Sequence, residues 1–219
     1  MGRAKQFTAI SRRHSWQKIV STMSSSTSQS ADRSERKLPR AVFLDRDGTL
    51  IRHVHHLHQP ELVELLPGVR ESLEFLLEQG VLLFLFTNQS GVAKGLFTLA
   101  DAEAVNSRML ELLGLGDELF AGVCVAIEMP SDTPKYRKPS PRFILESLAK
   151  HKIDPVDAVM VGDNPTDWEA GDRANIKVVR ITSPVSSAAA ECEESQAGEQ
   201  MYSGIHQWTS TYRMASEAE

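Results

Sequence analysis

The sequence predicts an α/β domain with three layers, in which helices cover both faces of a parallel β-sheet. Three short apolar runs, at residues 41–44, 81–86 and 158–161, have the length and composition of buried strands. Each run ends in polar residues, and segments with helix start and stop signals lie between the runs. Parallel strands need such crossover connections, so the alternation of strand and helix predicts a Rossmann-like architecture.

The first half of the domain follows this alternation. Residues 50–66, after the first strand, are too irregular for a helix and predict a short β-flap. Pro67-Gly68 opens a helix that runs to about Gln79 and ends before a glycine. The sequence Thr98-Leu99-Ala100-Asp101 resembles a capping box and starts a second helix, which runs to about Leu113.

The second half continues the pattern. A strand at residues 121–127 precedes a basic loop. Ser140-Pro141 predicts an N-cap followed by a proline in the first turn of a helix that ends near Lys150, and Asn164-Pro165 repeats this arrangement. Residues 177–181 predict the last strand. No insertion of about 60 residues or more interrupts the elements, so we expect no separate cap domain.

The domain is therefore expected to occupy residues 39–182, between two tails. Residues 1–38 predict a disordered tail that is rich in serine and basic residues. Residues 183–219 are rich in Ser, Ala and Glu and predict a loose C-terminal tail, with a short helix around residues 202–214.

The basic N-terminal segment allows three interpretations. Residues 1–40 contain nine Lys or Arg and two acidic residues. The remaining residues contain 15 Lys or Arg and 27 acidic residues. The segment is a solvated tail, an organellar presequence, or upstream sequence that the cell does not translate, with Met23 as the true start. Ser11-Arg12-Arg13 resembles a twin-arginine signal, but the absence of a following apolar segment argues against export.

Composition also limits the compartment and the partners. Cys124 and Cys192 have no metal or redox spacing, which favours a reducing compartment and predicts a cytoplasmic protein. No apolar stretch approaches the roughly 20 residues that span a bilayer. The acidic domain argues against nucleic-acid binding, and we expect a monomer that acts on a small phosphorylated metabolite.

Chemically active side chains follow the predicted strands. Asp45 and Asp47 come directly after the first strand, Thr87 after the second, and Asp163 after the run at 158–161. Carboxyl ends of neighbouring parallel strands form one crevice, so these residues should converge there. With Lys138 they would supply a nucleophile, a metal site and an anion cradle, as phosphoryl transfer requires. Taken alone, the first motif could also be a simple Asx turn.

Four motifs in order carry a resemblance: DRDGTL, FTNQSGVAKG, YRKPSP and VGDNPTD. Together they resemble the haloacid dehalogenase (HAD) superfamily of phosphohydrolases over residues 40–182. More narrowly, they are similar to the branch that contains the heptose bisphosphate and histidinol phosphate phosphatases. The resemblance implies an HAD-like fold and a Mg²⁺-dependent phosphomonoester hydrolase that works through an aspartyl-phosphate.

The resemblance also implies roles. Asp45 would be the nucleophile, and Asp47 would be the general acid and then the general base. Thr87 and Lys138 would bind the transferring phosphoryl group, and Asp167 would orient Lys138 rather than bind metal. The expected Mg²⁺ ligands are the Asp45 side chain, the Asp47 backbone carbonyl and Asp163.

Substrate contacts are expected from the flap and from the loops beside the catalytic motifs. The candidates are His53, His56, Asn88, Gln89, Ser90 and Arg137. The histidine-rich run at residues 53–58 lacks the spacing and the cysteines of a typical zinc site. Arg137 suits a second phosphate or a carboxylate on the substrate.

One departure from the heptose enzymes concerns zinc. They carry a zinc loop of cysteines and a histidine before the Arg-Lys-Pro motif, and residues 126–135 replace it here. We therefore expect no zinc, and the substrate remains open between a sugar (heptose) bisphosphate and histidinol phosphate. The alternatives are a DNA 3′-phosphatase, suggested by Tyr136-Arg137-Lys138-Pro139, and a non-catalytic phosphosugar-binding protein.

Overall fold

A computed structural model describes residues 37–133, 135–182 and 201–216. Of the predicted basic tail at residues 1–38, residues 1–36 lie outside the described residues. Six strands form one parallel sheet in the order β3-β2-β1-β4-β5-β6. They are β1 (Ala41–Leu44), β2 (Leu82–Asn88), β3 (Gly122–Ala126), β4 (Ala158–Gly162), β5 (Lys177–Ile181) and β6 (Met201–Tyr202).

Helices cover both faces of this sheet, as predicted. They are α1 (Val69–Glu78), α2 (Leu99–Leu113), α3 (Arg142–His151), α4 (Pro165–Arg173) and α5 (Ile205–Ser216). Successive strand residues point to opposite faces, so Val42 and Leu44 pack in the core beneath α1, α2 and α5. Ala41 and Phe43 pack in the second core, beneath α3 and α4. In the described residues, no helix is long and apolar enough to cross a membrane.

The predicted helix starts are mostly confirmed. Thr98 accepts a hydrogen bond from the Asp101 backbone N–H while Asp101 accepts one from Thr98, which completes a capping box. Asn164 and Asp167 form the same reciprocal pair at the start of α4. Helix α3 begins at Arg142, one residue later than predicted, and the Ser140 hydroxyl accepts a hydrogen bond from the Arg142 N–H at 3.4 Å, as expected of the predicted capping residue.

The flap prediction for residues 50–66 holds only in part. Described strand pairing there is limited to isolated bridges, between Asp47 and Ile51 and between Ile51 and Leu65. The Arg52 N–H donates to the Glu64 carbonyl at 2.8 Å, which keeps the two arms of the segment together. A 3₁₀ turn at Pro60–Leu62 takes the place of a longer hairpin, because proline has no N–H to donate to a strand ladder.

The prediction of a loose C-terminal tail is wrong for residues 201–216. β6 pairs in parallel with β5, and α5 packs on α1. Ile205 and Trp208 are buried in the core, and the Thr209 hydroxyl donates to Ser72 Oγ at 3.1 Å. The expected helix at 202–214 is present, but it belongs to the domain, so the boundary at residue 182 is too early. Residues 183–200 lie outside the described part of the chain.

Candidate active site

The candidate site lies at the topological switch point of the sheet. β1 and β4 are neighbours in the sheet. The chain continues from β1 to β2 on one side and from β4 to β5 on the other, which leaves a crevice above the ends of β1 and β4. Asp45 follows β1 and Asp163 follows β4, and the Asp45 N–H donates to the Val161 carbonyl at 3.0 Å. A cavity of about 510 Å³ opens there. It is lined by Asp45, Asp47, His53, Thr87, Asn88, Ser90, Arg137, Lys138, Asp163, Asn164, Thr166 and Asp167.

Two glycines allow the acidic side chains to approach the backbone. Gly48 has a φ of +90°, and a Cβ on it would lie 2.0 Å from Asp163 Oδ2. A Cβ on Gly162 would lie 2.3 Å from Asp167 Oδ2. Any other residue would displace these carboxylates, so both glycines are required by the geometry of the site.

Lys138 lies at the centre of the acidic group. Its Nζ contacts Asp45 Oδ1 at 2.5 Å and Asp167 Oδ1 at 2.6 Å, and it donates to the Phe86 carbonyl at 2.7 Å. The Asn88 amide brackets the lysine backbone, since it donates to the Lys138 carbonyl and accepts from the Lys138 N–H. The predicted substrate residue Asn88 therefore also anchors the catalytic candidate Lys138.

Burial sets the electrostatics of this group. It raises the pKa of Asp45 to about 7, a shift that Lys138 opposes and that Asp167 and Asp47 increase. Burial, with repulsion from Asp45, also raises the pKa of Asp163 to about 6. Burial by itself would lower the pKa of Lys138, but attraction by Asp167 and Asp45 raises it above its ordinary value.

The donor set fits a divalent cation. Carboxylate oxygens of Asp45, Asp163 and Asp167 all lie within 4.8 Å of one another. Lys138 supplies one positive charge to this group of three acids, so the fully ionised group has an uncompensated negative charge. Mg²⁺ prefers such oxygen ligands and would relieve their repulsion.

Asp47 lies in a different environment. Its Oδ2 accepts hydrogen bonds from Arg46 Nε at 3.0 Å, Gln89 Nε2 at 3.0 Å and Thr87 Oγ1 at 3.3 Å. Its Oδ1 accepts one from Arg46 Nη2 at 3.1 Å. Its carboxylate is thus held by donors and lies outside the cluster formed by the other three acids. The family resemblance implies that Asp47 would contribute only its backbone carbonyl to a metal, and this stays a prediction.

The predicted substrate contacts separate into two groups. His53, Ser90 and Arg137 line the cavity, as Asn88 does. His56 is not among the lining residues in the described part of the chain, and its ring lies 4.0 Å from the His55 ring and 6.3 Å from the Phe97 ring. Gln89 is buried behind the cavity, where it donates to both Thr87 and Asp47.

The segment that replaces the zinc loop has its own contacts. Glu128 accepts a hydrogen bond from the Tyr136 backbone N–H at 2.8 Å, and the Tyr136 hydroxyl donates to Glu146 at 2.9 Å. Cys124 is buried in the core on the α3 side of the sheet, and burial raises the pKa of its thiol to about 12. A neutral, buried thiol is a poor metal ligand.

Two buried residues of the site were not predicted. Arg46 contacts Asp47 through a fork of two donors, and Asn106 on α2 accepts a hydrogen bond from Arg46. The only sequence signal for Asn106 is a polar residue on the otherwise apolar face of α2. Asn164 and Thr166 also line the cavity.

Comparison with known proteins identifies the family. The sequence profile described as haloacid dehalogenase-like hydrolase matches residues 5–181. The chain belongs to the haloacid dehalogenase-like hydrolases.

Relatives within this family carry one recurrent name. The chain is 33% identical over 156 residues to the D-glycero-beta-D-manno-heptose-1,7-bisphosphate 7-phosphatase of Haemophilus influenzae, and the match covers 67% of this chain and 85% of that protein. The protein of the same name from Helicobacter pylori is 35% identical over 140 residues, which cover 63% and 80% of the two chains.

A solved structure supports the fold. The D,D-heptose 1,7-bisphosphate phosphatase from B. bronchiseptica, crystallised with magnesium and phosphate, superposes with a TM-score of 0.69. The match covers 80% of this chain and 99% of that chain at 22% sequence identity. The HAD-like architecture predicted from the sequence is therefore confirmed.

Proposed function

We propose that this HAD-family chain is a Mg²⁺-dependent phosphomonoester hydrolase that forms an aspartyl-phosphate on Asp45. The observation that carries the proposal is the group of buried Asp45, Lys138 and Asp167 and half-buried Asp163 at the switch point of the sheet. Fold stability does not require three acids around one lysine, because desolvated like charges repel one another. The arrangement suits the binding of a phosphoryl group together with a divalent cation.

The metal would be held by the carboxylates of Asp45 and Asp163 and by the backbone carbonyl of Asp47. When bound, it supplies positive charge that neutralises the phosphoryl oxygens and the two ligating acids. Asp167 keeps its ion pair with Lys138 and orients the ammonium group. Lys138 then faces both the nucleophile and the phosphoryl oxygens.

The reaction has two steps. An oxygen of Asp45 attacks phosphorus, the bond from phosphorus to the leaving oxygen breaks, and the Asp47 carboxyl gives its proton to that oxygen. In the second step Asp47 takes a proton from water as the water oxygen attacks phosphorus. The bond between phosphorus and Asp45 breaks, which releases inorganic phosphate and restores the carboxylate. Thr87 contributes its hydroxyl to the transferring group.

We propose a sugar bisphosphate of the heptose class as the substrate. The names of the relatives from H. influenzae and H. pylori support this choice. Arg137 lines the cavity, and its Nη1 is enclosed and has no hydrogen-bond partner within the described residues. A guanidinium in that state favours a substrate with a second anionic group. Cysteine usage leads us to propose a cytoplasmic protein, and we propose that it acts as a monomer.

The test is phosphate release from a substrate panel at saturating Mg²⁺. The panel contains heptose bisphosphate, histidinol phosphate, other sugar phosphates and an oligonucleotide with a 3′-phosphate. We expect turnover of a sugar bisphosphate that EDTA abolishes and Mg²⁺ restores, with no loss after treatment with a zinc-selective chelator. Asp45→Asn serves as the inactive control. Turnover of the oligonucleotide alone would favour the DNA 3′-phosphatase alternative, and binding without turnover would favour a phosphosugar-binding protein.

A further inference from the structure

We infer that Asn106 of α2 is a positioning residue for catalysis, which acts by holding Arg46 against the carboxyl group of Asp47. This inference rests on the proposed phosphatase function and assigns a role to two residues outside the acidic cluster. Neither Arg46 nor Asn106 lines the cavity formed by the described residues. Both would act on the substrate only through Asp47.

The first support is the burial of Arg46. Its side chain is 0% exposed, although arginine is almost never fully buried without partners. Nε and Nη2 donate to the two oxygens of Asp47 at 3.0 and 3.1 Å. Nη1 donates to Asn106 Oδ1 at 2.8 Å. The planar guanidinium therefore connects Asp47, one of the two proposed catalytic acids, to helix α2, which follows β2 in the sequence.

The second support is the position of Asn106. It lies on the buried face of α2, together with Ala102, Val105 and Met109. A buried amide costs free energy unless its groups are hydrogen-bonded, and an apolar residue of similar size would pack there without this cost. The hydrogen bond to Arg46 gives the amide a partner and orients the guanidinium. Stability by itself would be served equally well by an apolar pair at these two positions.

The consequence for Asp47 follows from the fork. Thr87 and Gln89 contact only Oδ2, whereas Arg46 contacts both oxygens and so determines the plane of the carboxyl group. Asp47 has to deliver a proton to the leaving oxygen and later remove one from water. A small displacement of its carboxyl group would slow proton transfer while leaving substrate binding intact.

The test compares Asn106→Leu, which keeps the branching at Cγ but has no acceptor, with Asn106→Asp, which keeps an oxygen in the same place. The matched control is Thr209→Val. It removes a different buried hydrogen bond, from Thr209 to Ser72, and neither residue lines the cavity in the part of the chain that the structure describes. For each protein, the single-turnover rate of phosphoenzyme formation and the KM are measured at saturating Mg²⁺ with p-nitrophenyl phosphate and with an alkyl phosphate that the wild type hydrolyses. Thermal midpoints are recorded in parallel.

We expect Asn106→Leu to lower the single-turnover rate of phosphoenzyme formation from the alkyl phosphate roughly ten-fold, because its leaving group needs a proton from Asp47. The loss for p-nitrophenyl phosphate should be below about three-fold, since that leaving group needs little protonation. KM should be unchanged for both substrates. Asn106→Asp should restore most of the rate of phosphoenzyme formation, and Thr209→Val should lower the thermal midpoint without separating the two substrates.

Equal losses on both substrates, or the same pattern in Thr209→Val, would show that Asn106 is only structural and would overturn the inference. If Asn106→Leu does not fold, Arg46→Lys answers the same question, because lysine keeps the charge but cannot form the fork. It should show the same dependence on the leaving group, and equal losses there would also overturn the inference. Inactivity of the wild-type protein on every phosphomonoester would instead reject the proposed function.

Discussion

Asp45 and Asp47 are separated by one residue, yet the fold places them in opposite electrostatic surroundings. Asp45 is buried beside two further acids and one lysine, and burial raises its pKa to about 7. Asp47 accepts four hydrogen bonds from an arginine, an amide and a hydroxyl, and 18% of its side chain is exposed. The comparison teaches that the surrounding elements, rather than the side chain itself, determine the electrostatic environment of each aspartate.

The largest difference between the two acids should appear when each is replaced by its amide. Asp45→Asn should abolish turnover, because an amide cannot attack phosphorus and no phosphoenzyme can form. The measurement is phosphate release together with acid trapping of labelled phosphoenzyme. Labelled phosphate on the Asp45→Asn protein would assign the nucleophile to another residue.

Asp47→Asn should be less severe and should depend on the leaving group. Loss of general acid–base assistance typically lowers kcat by roughly 10²–10⁴-fold, and the full loss is expected for a sugar alkoxide. Single-turnover formation of the phosphoenzyme should be much less affected with p-nitrophenyl phosphate. Equal penalties on phosphoenzyme formation with the two substrates would contradict the role of Asp47 as general acid.

Removal of the cation that accompanies Asp45 should destabilise the fold. Lys138→Met leaves Asp45 and Asp167 buried without their cation, and breaking a buried ion pair in this way typically destabilises a fold by about 3–5 kcal/mol. Mg²⁺ should recover part of this free energy of unfolding, because it supplies positive charge to the same acids. Urea unfolding with and without Mg²⁺ measures both effects. An identical free energy in wild type and variant would show that the pair has no net role in stability.

The smallest expected effect is a pH dependence of the response to Mg²⁺. In the metal-free protein the pKa values of Asp45 and Asp163 are raised from an ordinary value of 3.8 to about 7 and about 6. The folded state therefore holds protons that the unfolded chain has released, so the contribution of these groups to stability falls as pH rises from about 4 to about 7. Mg²⁺ has to displace the protons, so its stabilising effect should grow over this range.

We accordingly expect Mg²⁺ to raise the thermal midpoint more at pH 8 than at pH 5.5. Differential scanning fluorimetry with and without Mg²⁺ at the two pH values provides the measurement. Asp163→Asn is the control, since it removes one proposed ligand and should weaken the response at both pH values. A shift as large at pH 5.5 as at pH 8 would contradict the assignment of these carboxylates to the metal.

Much of this arrangement could be predicted from the sequence because its signals are local. An apolar run followed by an acid identified the ends of β1 and β4, and the parallel sheet brings Asp45 and Asp163 together. Capping residues at Thr98 and Asn164 marked two helix starts for the same reason. These features depend on a few neighbouring residues and on the general geometry of parallel sheets.

The contacts that could not be predicted join residues that are far apart in the sequence. Arg46 and Asn106 are 60 positions apart, and only the packing of α2 beneath the loop after β1 brings them together. The same holds for Asn88 and the backbone of Lys138, which are 50 positions apart. The burial of α5 did have a signal, because Ile205, Trp208 and Tyr212 recur at helical spacing. The polar composition of residues 183–219 concealed it.

The packing of α5 on α1 has a consequence for handling the protein. A version shortened at residue 182 would keep all the catalytic candidates but would uncover the apolar face that Ile205 and Trp208 protect. An uncovered apolar face of this kind promotes self-association. The first sign of such a truncation should therefore be poor solubility, while the molecules that remain dispersed should keep an intact catalytic centre.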